Sequence, residues 1–346
     1  MADPGAVWEA RGVAARMLRA GLLPAAGAFR AGTTVRNWLY DVGALRSRAL
    51  KGPTVSVGNL SVGGTGKTPF TSWIATALQK RGARPAILLR GYSDDETQVH
   101  RMLAAGIPVY ANPDRVAASY AAHADGADVM VLDDAFQHRR AARDEDIVLV
   151  SADARAAAWP LPAGPWREPF RALRRATLVA VTRKAAPDDA VAQLLERVSR
   201  AAGSVPVAVV RFEHGVLRAW GSAGERPLVS LAGQRPLLVS AIGDPAAFEA
   251  QIGAAGIAVE PVRFADHHSF TASEIAKLAE RAVAPRLVIC TLKDAVKLGP
   301  LWPPEAGSLW YVSQRIAVER GDEHLTRIVG RILALRPETR PGDSHR

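Results

Sequence analysis

Residues 54–69 constrain this chain more than any other stretch. A short apolar strand, Thr54-Val55-Ser56-Val57, runs into a glycine-rich turn that ends in Gly66-Lys67-Thr68. A helix-compatible segment follows. The order strand, glycine turn, helix suits a phosphate-binding loop. Glycines at 63, 64 and 66 let the backbone approach an anion closely, and the N–H groups at the next helix start point at it. Lys67 can reach the β/γ-phosphates of a nucleoside triphosphate, and the Thr68 hydroxyl can ligate Mg²⁺. The first glycine of the usual P-loop spacing is replaced by Ser61. Ser61, Val62, Gly63, Gly64, Thr65, Gly66, Lys67 and Thr68 are therefore the candidate nucleotide-binding residues.

The rest of the chain fits an α/β protein built around that loop. Strands are expected at 54–58, 86–89, 107–110, 128–132, 146–150, 177–181 and 206–211, with helices at 68–81, 114–124 and 187–202. Near-continuous apolar strands alternating with helices indicate a buried parallel sheet. Residues 211–234 read as short extended segments with glycine turns. A second α/β pattern follows: strands at 236–241, 257–263, 286–290 and 308–312, helices at 245–255, 271–283 and 322–335. The organisation is thus an N-terminal helical segment over 1–51, a P-loop domain over 52–212, a linker over 213–234, a second, smaller α/β domain over 235–335, and a polar tail over 336–346. The 346 residues, 48% of them hydrophobic, suffice for two such cores.

Composition narrows the function. Cys290 is the only cysteine, which excludes an internal disulfide and a cysteine-based zinc cluster, and its apolar surroundings imply an inert buried thiol. The formal net charge of +10 favours acidic partners. Aromatics are only 6% and no basic–aromatic interleaving occurs, so no nucleic-acid partner is expected. No apolar run of spanning length exists, and Arg11, Arg16 and Arg19 break any signal-peptide pattern. The Ala-, Leu- and Arg-rich segment 1–51 reads as a basic amphipathic helix, which suits either a membrane surface or packing on its own domain.

Several clusters carry candidate chemistry. An apolar strand ends in Asp133-Asp134, the arrangement that holds Mg²⁺ or its water beside a P-loop. Gln137 and His138 follow, and can bind phosphate or substrate, or cap the strand end. Asp94-Asp95-Glu96 lies after the second strand, where one carboxylate could accept the proton of an attacking hydroxyl. Asp266-His267-His268 lacks the accompanying ligands of a zinc site; a histidine tuning a carboxylate fits better. A stiff proline-rich loop, 160–169, carries Arg167 and Glu168. Thr291-Leu-Lys-Asp294 has the wrong spacing for a guanine-recognition signature.

Together these pieces resemble one family, the tetraacyldisaccharide 4′-kinases. The resemblance rests on Val57 to Pro69, Arg90-Gly-Tyr92, Asp133-Asp-Ala-Phe-Gln-His138, Leu161 to Glu168, Phe264-Ala-Asp-His-His268 and Thr291-Leu-Lys-Asp-Ala-Val296, in family order over most of the chain. It accounts for Ser61, since the family itself lacks that glycine. The resemblance implies two α/β/α domains joined by a two-stranded linker, with ATP and Mg²⁺ in the cleft. It implies transfer of the γ-phosphate to the 4′-hydroxyl of a tetraacyl glucosamine disaccharide 1-phosphate in lipid A biosynthesis, by a peripheral enzyme on the cytoplasmic face of the inner membrane. Carried over residue by residue, it makes Asp95 the catalytic base, His267 its partner and Lys67 a phosphate-binding catalytic group. Thr68, Asp133, Asp134 and Glu168 fall near the metal; Glu96, Arg115, Gln137, His138 and Arg167 fall near substrate and phosphate. The family's Gly and Pro flanking the catalytic Asp-Glu are absent here, so Asp94 is the fallback base. Two other classes stay open on the residues alone: a P-loop ATPase switch acting on a protein or DNA partner, and a P-loop kinase of a soluble metabolite.

Overall fold

The computed structural model describes residues 8, 12–91, 94–154, 159–243, 245–266, 268–282 and 287–337. Among the described residues, the first long helix is α1 (Val13–Asp41). The P-loop half then runs β1 (Thr54–Asn59), α2 (Lys67–Gln79), β2 (Pro85–Leu89), α3 (Asp94–Leu103), β3 (Val109–Ala111), α4 (Arg115–Ala124), β4 (Val129–Asp133), β5 (Glu145–Ser151), β6 (Leu178–Arg183) and α5 (Asp188–Ala202). The remainder is β7 (Val207–Ala219), β8 (Glu225–Pro227), β9 (Leu237–Ser240), α6 (Pro245–Ala254), β10 (Glu260–Arg263), α7 (Ala272–Arg281), β11 (Val288–Thr291), α8 (Leu292–Leu298), β12 (Leu309–Arg320) and α9 (Asp322–Ala334).

Among the described residues these strands form one twelve-stranded sheet, ordered β10-β9-β11-β12-β7-β6-β5-β1-β4-β2-β3, with β8 on the side of β7. β1 lies between β4 and β5, parallel to both. Every residue of β1 is buried, because both faces of the sheet are covered. Val55, Val57, Val129 and Val131 face Phe70, Ile74 and Leu78 of α2. The alternate residues Met130 and Leu132 face Ala118 and Ala122 of α4. Farther along, β5 and β6 pack Val148 and Val179 on Val191, Leu194 and Val198 of α5.

The structure revises the expected second half in two ways. The strand expected at 308–312 continues to Arg320 and pairs antiparallel with β7, from Trp310 opposite Ala219 to Arg320 opposite Val209. The two long strands β7 and β12 therefore join the halves, so only one strand of the connection lies near the expected 213–234 linker. The final helix also leaves the expected second domain. Leu325, Ile328, Val329 and Ile332 of α9 recur at helical spacing and pack into the same core as α2. Arg331 Nη2 bonds Glu145 Oε2 at the start of β5, at 2.9 Å. On one face of the sheet in the second half, Leu238 and Ile289 pack on Phe248 and Ile252 of α6; on the other, Leu237, Val239, Val288 and Leu309 gather around Phe270, Ile275 and Leu278. Cys290 is fully buried there and burial pushes its thiol well up, as expected of an inert cysteine.

Candidate active site

The glycine turn between β1 and α2 is locked from several sides. Asn59 Nδ2 donates to Thr65 Oγ1 (2.9 Å), Thr182 Oγ1 donates to the Thr65 carbonyl (3.2 Å), and Val62 N donates to the Pro165 carbonyl (2.8 Å). Ser61 forms a bridge to Trp166, and Lys184 Nζ reaches the Gly64 carbonyl at 3.4 Å. Gly66 caps α2 in the left-handed region, φ 87°, with no side chain occupying the helix start. A Cβ there would also meet the Phe212 ring at 2.3 Å. The first N–H groups of α2 are thus left to an anion.

Asp133 and Asp134 stand at the end of β4, opposite this helix start. Asp133 is buried. Its Oδ1 accepts from Thr71 Oγ1 (3.0 Å); its Oδ2 accepts from Thr68 Oγ1 (3.4 Å) and sits 3.0 Å from His100 Nε2. Burial acts to raise its pKa, but the His100 contact, the Lys67 charge and the Thr71 hydroxyl hold it below the usual carboxylate range. Asp134 has φ 49°, unusual for a residue with a side chain. Its carboxylate accepts from Arg167 Nη1 at 2.8 and 3.0 Å and lies 3.7 Å from Lys67 Nζ. Arg167 also bonds Gln137 Oε1 (3.4 Å), and Gln137 Nε2 donates to the Asn59 carbonyl (2.8 Å). Lys67, Asp134, Arg167 and Gln137 thereby form one connected group.

Asp94, Asp95 and Glu96 occupy the first turn of α3, where a helix favours negative charge. Burial, reinforced by the Asp133 and Asp134 charges, raises the Glu96 pKa against the opposing pull of Lys293. That cation comes from α8 of the other half, which packs on α3. Arg115 is buried, with Nη1 on the Asn112 carbonyl (2.8 Å) and Nη2 on the Asp133 carbonyl (3.5 Å). Burial and then Arg115, Arg143, Arg140 and Arg90 bring His138 down to about 4, which marks this flank as electropositive and leaves the imidazole neutral at pH 7.

Glu168, expected beside the metal, is engaged elsewhere. Its oxygens accept from Arg175 Nη1 (2.8 Å) and Nη2 (3.0 Å) and from Asn37 Nδ2 of α1 (2.6 Å). His267 lies outside the described residues; its neighbour Asp266 is 3.8 Å from Lys293 Nζ, and the His268 carbonyl accepts from Lys297 Nζ at 3.0 Å. The sequence reading missed His100, which is wholly buried and reaches the Asp133 carboxylate.

A family model for Tetraacyldisaccharide-1-P 4′-kinase matches residues 18–333. The chain belongs to the tetraacyldisaccharide 4′-kinase family. Among its relatives, the tetraacyldisaccharide 4′-kinase of Anaeromyxobacter sp. (strain K) is 37% identical, covering 97% of each chain. That of Halorhodospira halophila is 35% identical over 97% of this chain and 98% of its own. A crystal structure of LpxK from Aquifex aeolicus in complex with ATP superposes with a TM-score of 0.72 at 28% identity, covering 91% of this chain and 99% of that one. The glycine turn, Asp133-Asp134, the 94–96 acids, Arg167 and the 266–268 segment of this kinase-family chain all fall inside the matched span.

Among the described residues, no three or more His, Cys, Asp or Glu side chains converge as a metal cage. Mg²⁺ binds through one or two carboxylates completed by phosphate oxygens and waters. The Thr68 hydroxyl beside Asp133 is a donor set of that kind.

Proposed function

We propose that the chain is an ATP-dependent kinase that phosphorylates the 4′-hydroxyl of a tetraacyl glucosamine disaccharide 1-phosphate, in lipid A biosynthesis. The observation that carries this reading is the Gly66-Lys67-Thr68 helix start facing Asp133 and Asp134. Phosphoryl transfer needs mainly positioning and charge stabilisation. The amides of residues 63–68 and the Lys67 ammonium hold the β/γ-phosphates. Thr68 and Asp133 would hold Mg²⁺, which would neutralise charge on the phosphate oxygens. Arg167 keeps Asp134 turned toward Lys67, so phosphate competes with Asp134 for that ammonium. Asp95 takes the 4′-hydroxyl proton, with His267 tuning it and Asp94 as the alternative base. Glu96, Arg115, Gln137 and His138 line the acceptor side. Because His138 is neutral at pH 7, it contributes a hydrogen bond rather than a charge.

The acceptor carries acyl chains, so the enzyme works at a membrane surface, on the cytoplasmic face of the inner membrane. No helix among the described residues is long and apolar enough to cross a membrane. Support for surface docking comes from α1, where Val13, Met17, Leu18, Val35 and Trp38 are exposed and only Ala26 is buried. Arg16, Arg19 and Arg30 interleave with them, each adding about 1 kcal/mol near anionic headgroups. The C-terminal end of α1 is fixed to the P-loop half: Arg139 Nη1 bonds the Asn37 carbonyl (2.8 Å) and Asp41 Oδ1 (2.7 Å), and Asn37 bonds Glu168.

The test is transfer of radiolabel from γ-labelled ATP to the acylated disaccharide, with wild type beside Asp95→Ala, Asp94→Ala and His267→Ala. Loss of transfer in Asp95→Ala but not Asp94→Ala supports the assignment; the reverse pattern moves the base to Asp94. Label released only as inorganic phosphate, with no glycolipid product, overturns the kinase reading.

A further inference from the structure

His100 lies outside the catalytic and binding residues proposed above, yet it is fully buried and both ring nitrogens are engaged. Nδ1 is 2.8 Å from Ser72 Oγ on α2, and Nε2 is 3.0 Å from Asp133 Oδ2 at the end of β4. The Asp133 carboxylate only accepts, so Nε2 carries the proton and the Ser72 hydroxyl donates to Nδ1. The chain Ser72–His100–Asp133 ties together three elements: the helix that starts at the phosphate loop, the helix whose first turn holds Asp94-Asp95-Glu96, and the strand that delivers the acid. Thr71 takes the other carboxylate oxygen at 3.0 Å. Asp133 is therefore fixed in rotation, with Oδ2 held on the Thr68 side.

We propose that His100 is a positioning residue: it orients Asp133 for the metal that accompanies the triphosphate and holds α3, with its acids, in register with the phosphate loop. The proposal rests on the reading of Asp133 as the metal-side carboxylate. Groups that orient a metal's own ligands typically affect metal affinity or activity by about 10–100-fold when removed.

The experiment is a Mn²⁺ titration of the full chain with a non-hydrolysable ATP analogue, followed by the electron paramagnetic resonance signal of free Mn²⁺. Thermal melting is recorded alongside. His100→Ala should weaken Mn²⁺ binding by about 10–100-fold while leaving metal-free analogue binding near wild type. His100→Gln, which keeps an N–H donor, should recover part of the loss, and Ser72→Ala should give a smaller loss. Wild-type Mn²⁺ affinity in His100→Ala, with only a lower melting temperature, would make His100 a core group and overturn the proposal. If His100→Ala does not fold, wild-type Mn²⁺ affinity in both His100→Gln and Ser72→Ala has the same consequence. Asp133→Asn separates the two levels. Weakened metal binding there with unchanged His100 variants sinks only the positioning role, whereas unchanged binding in Asp133→Asn sinks the metal-side reading itself.

Discussion

The three glycines of the phosphate loop should respond very differently to one added methyl group. At Gly66 the backbone is left-handed, φ 87°, which costs an alanine about 1–2 kcal/mol. The new Cβ would also lie 2.3 Å from Phe212 Cζ and 2.5 Å from Cε2. Phe212 is only 3% exposed and belongs to the core beneath the loop, so it has no room to withdraw. Overpacking of that kind costs about 1–3 kcal/mol, and the two effects sum to about 2–5 kcal/mol for Gly66→Ala. Gly63 has φ 114° but open space around its Cβ position, so only the backbone strain of about 1–2 kcal/mol applies. Gly64 has no positive φ, and its nearest atom, Lys184 Nζ, is 3.8 Å away; its alanine should fall within about 0.5 kcal/mol of wild type. Urea unfolding followed by circular dichroism without nucleotide reads these differences from the midpoints at unchanged slope. Equal midpoints for all three variants would refute the reasoning, since they would show that the turn does not hold the conformation described.

Four further outcomes are expected. Lys67→Ala should reduce phosphoryl transfer by about 10²–10³-fold, the usual cost of removing one charge-stabilising donor, with little change in melting temperature. Ile328→Ala on α9 should destabilise by about 2–5 kcal/mol; if chemical protection of the P-loop half is unaffected, the helix does not belong to that core. His138 titrates near 4 when folded and near 6.5 when unfolded, so the unfolded chain binds more protons between those values and stability falls as pH drops from 6.5 toward 4. The gap corresponds to roughly 3 kcal/mol undiluted, reduced to about 1 kcal/mol because the side chain is only half-buried; His138→Gln should flatten this part of the stability–pH curve. Deleting residues 1–30, or introducing Met17→Glu with Trp38→Glu, should abolish flotation with anionic liposomes while leaving ATP binding intact, and unchanged flotation would remove the docking role of α1.

The parts of this architecture set by local sequence were legible, and the parts set by distant packing were not. β4 announces itself because a strand buried on both faces is almost continuously apolar, and β1 because Val55 and Val57 lead straight into a turn whose Gly63 and Gly66 take positive φ. α3 is absent from the sequence-based expectations, since Asp94, Asp95 and Glu96 dominate its first turn and only Val99, Met102 and Leu103 hint at a buried face. α8 was missed although Thr291 and Asp294 form a helix-starting pair, with Asp294 N on Thr291 Oγ1 at 3.2 Å. The alternation Ile316-Ala-Val318 in the second half of β12 was too mild to extend that strand without its partner β7. Nothing in the order of residues places α9 on α2, or His100 on Asp133, because those contacts depend on how the sheet brings separate segments together. Glu168 illustrates the converse: the motif identifies it, but its pairing with Arg175 and Asn37 is visible only in three dimensions.

The most direct measurement is a crystal structure of the protein with Mg²⁺ and a non-hydrolysable ATP analogue. The account predicts the β- and γ-phosphates within hydrogen-bond reach of the amides of residues 63–68, Lys67 Nζ moved from Asp134 onto them, and the metal between Thr68 and Asp133. A triphosphate bound elsewhere, with Lys67 still on Asp134, would contradict it.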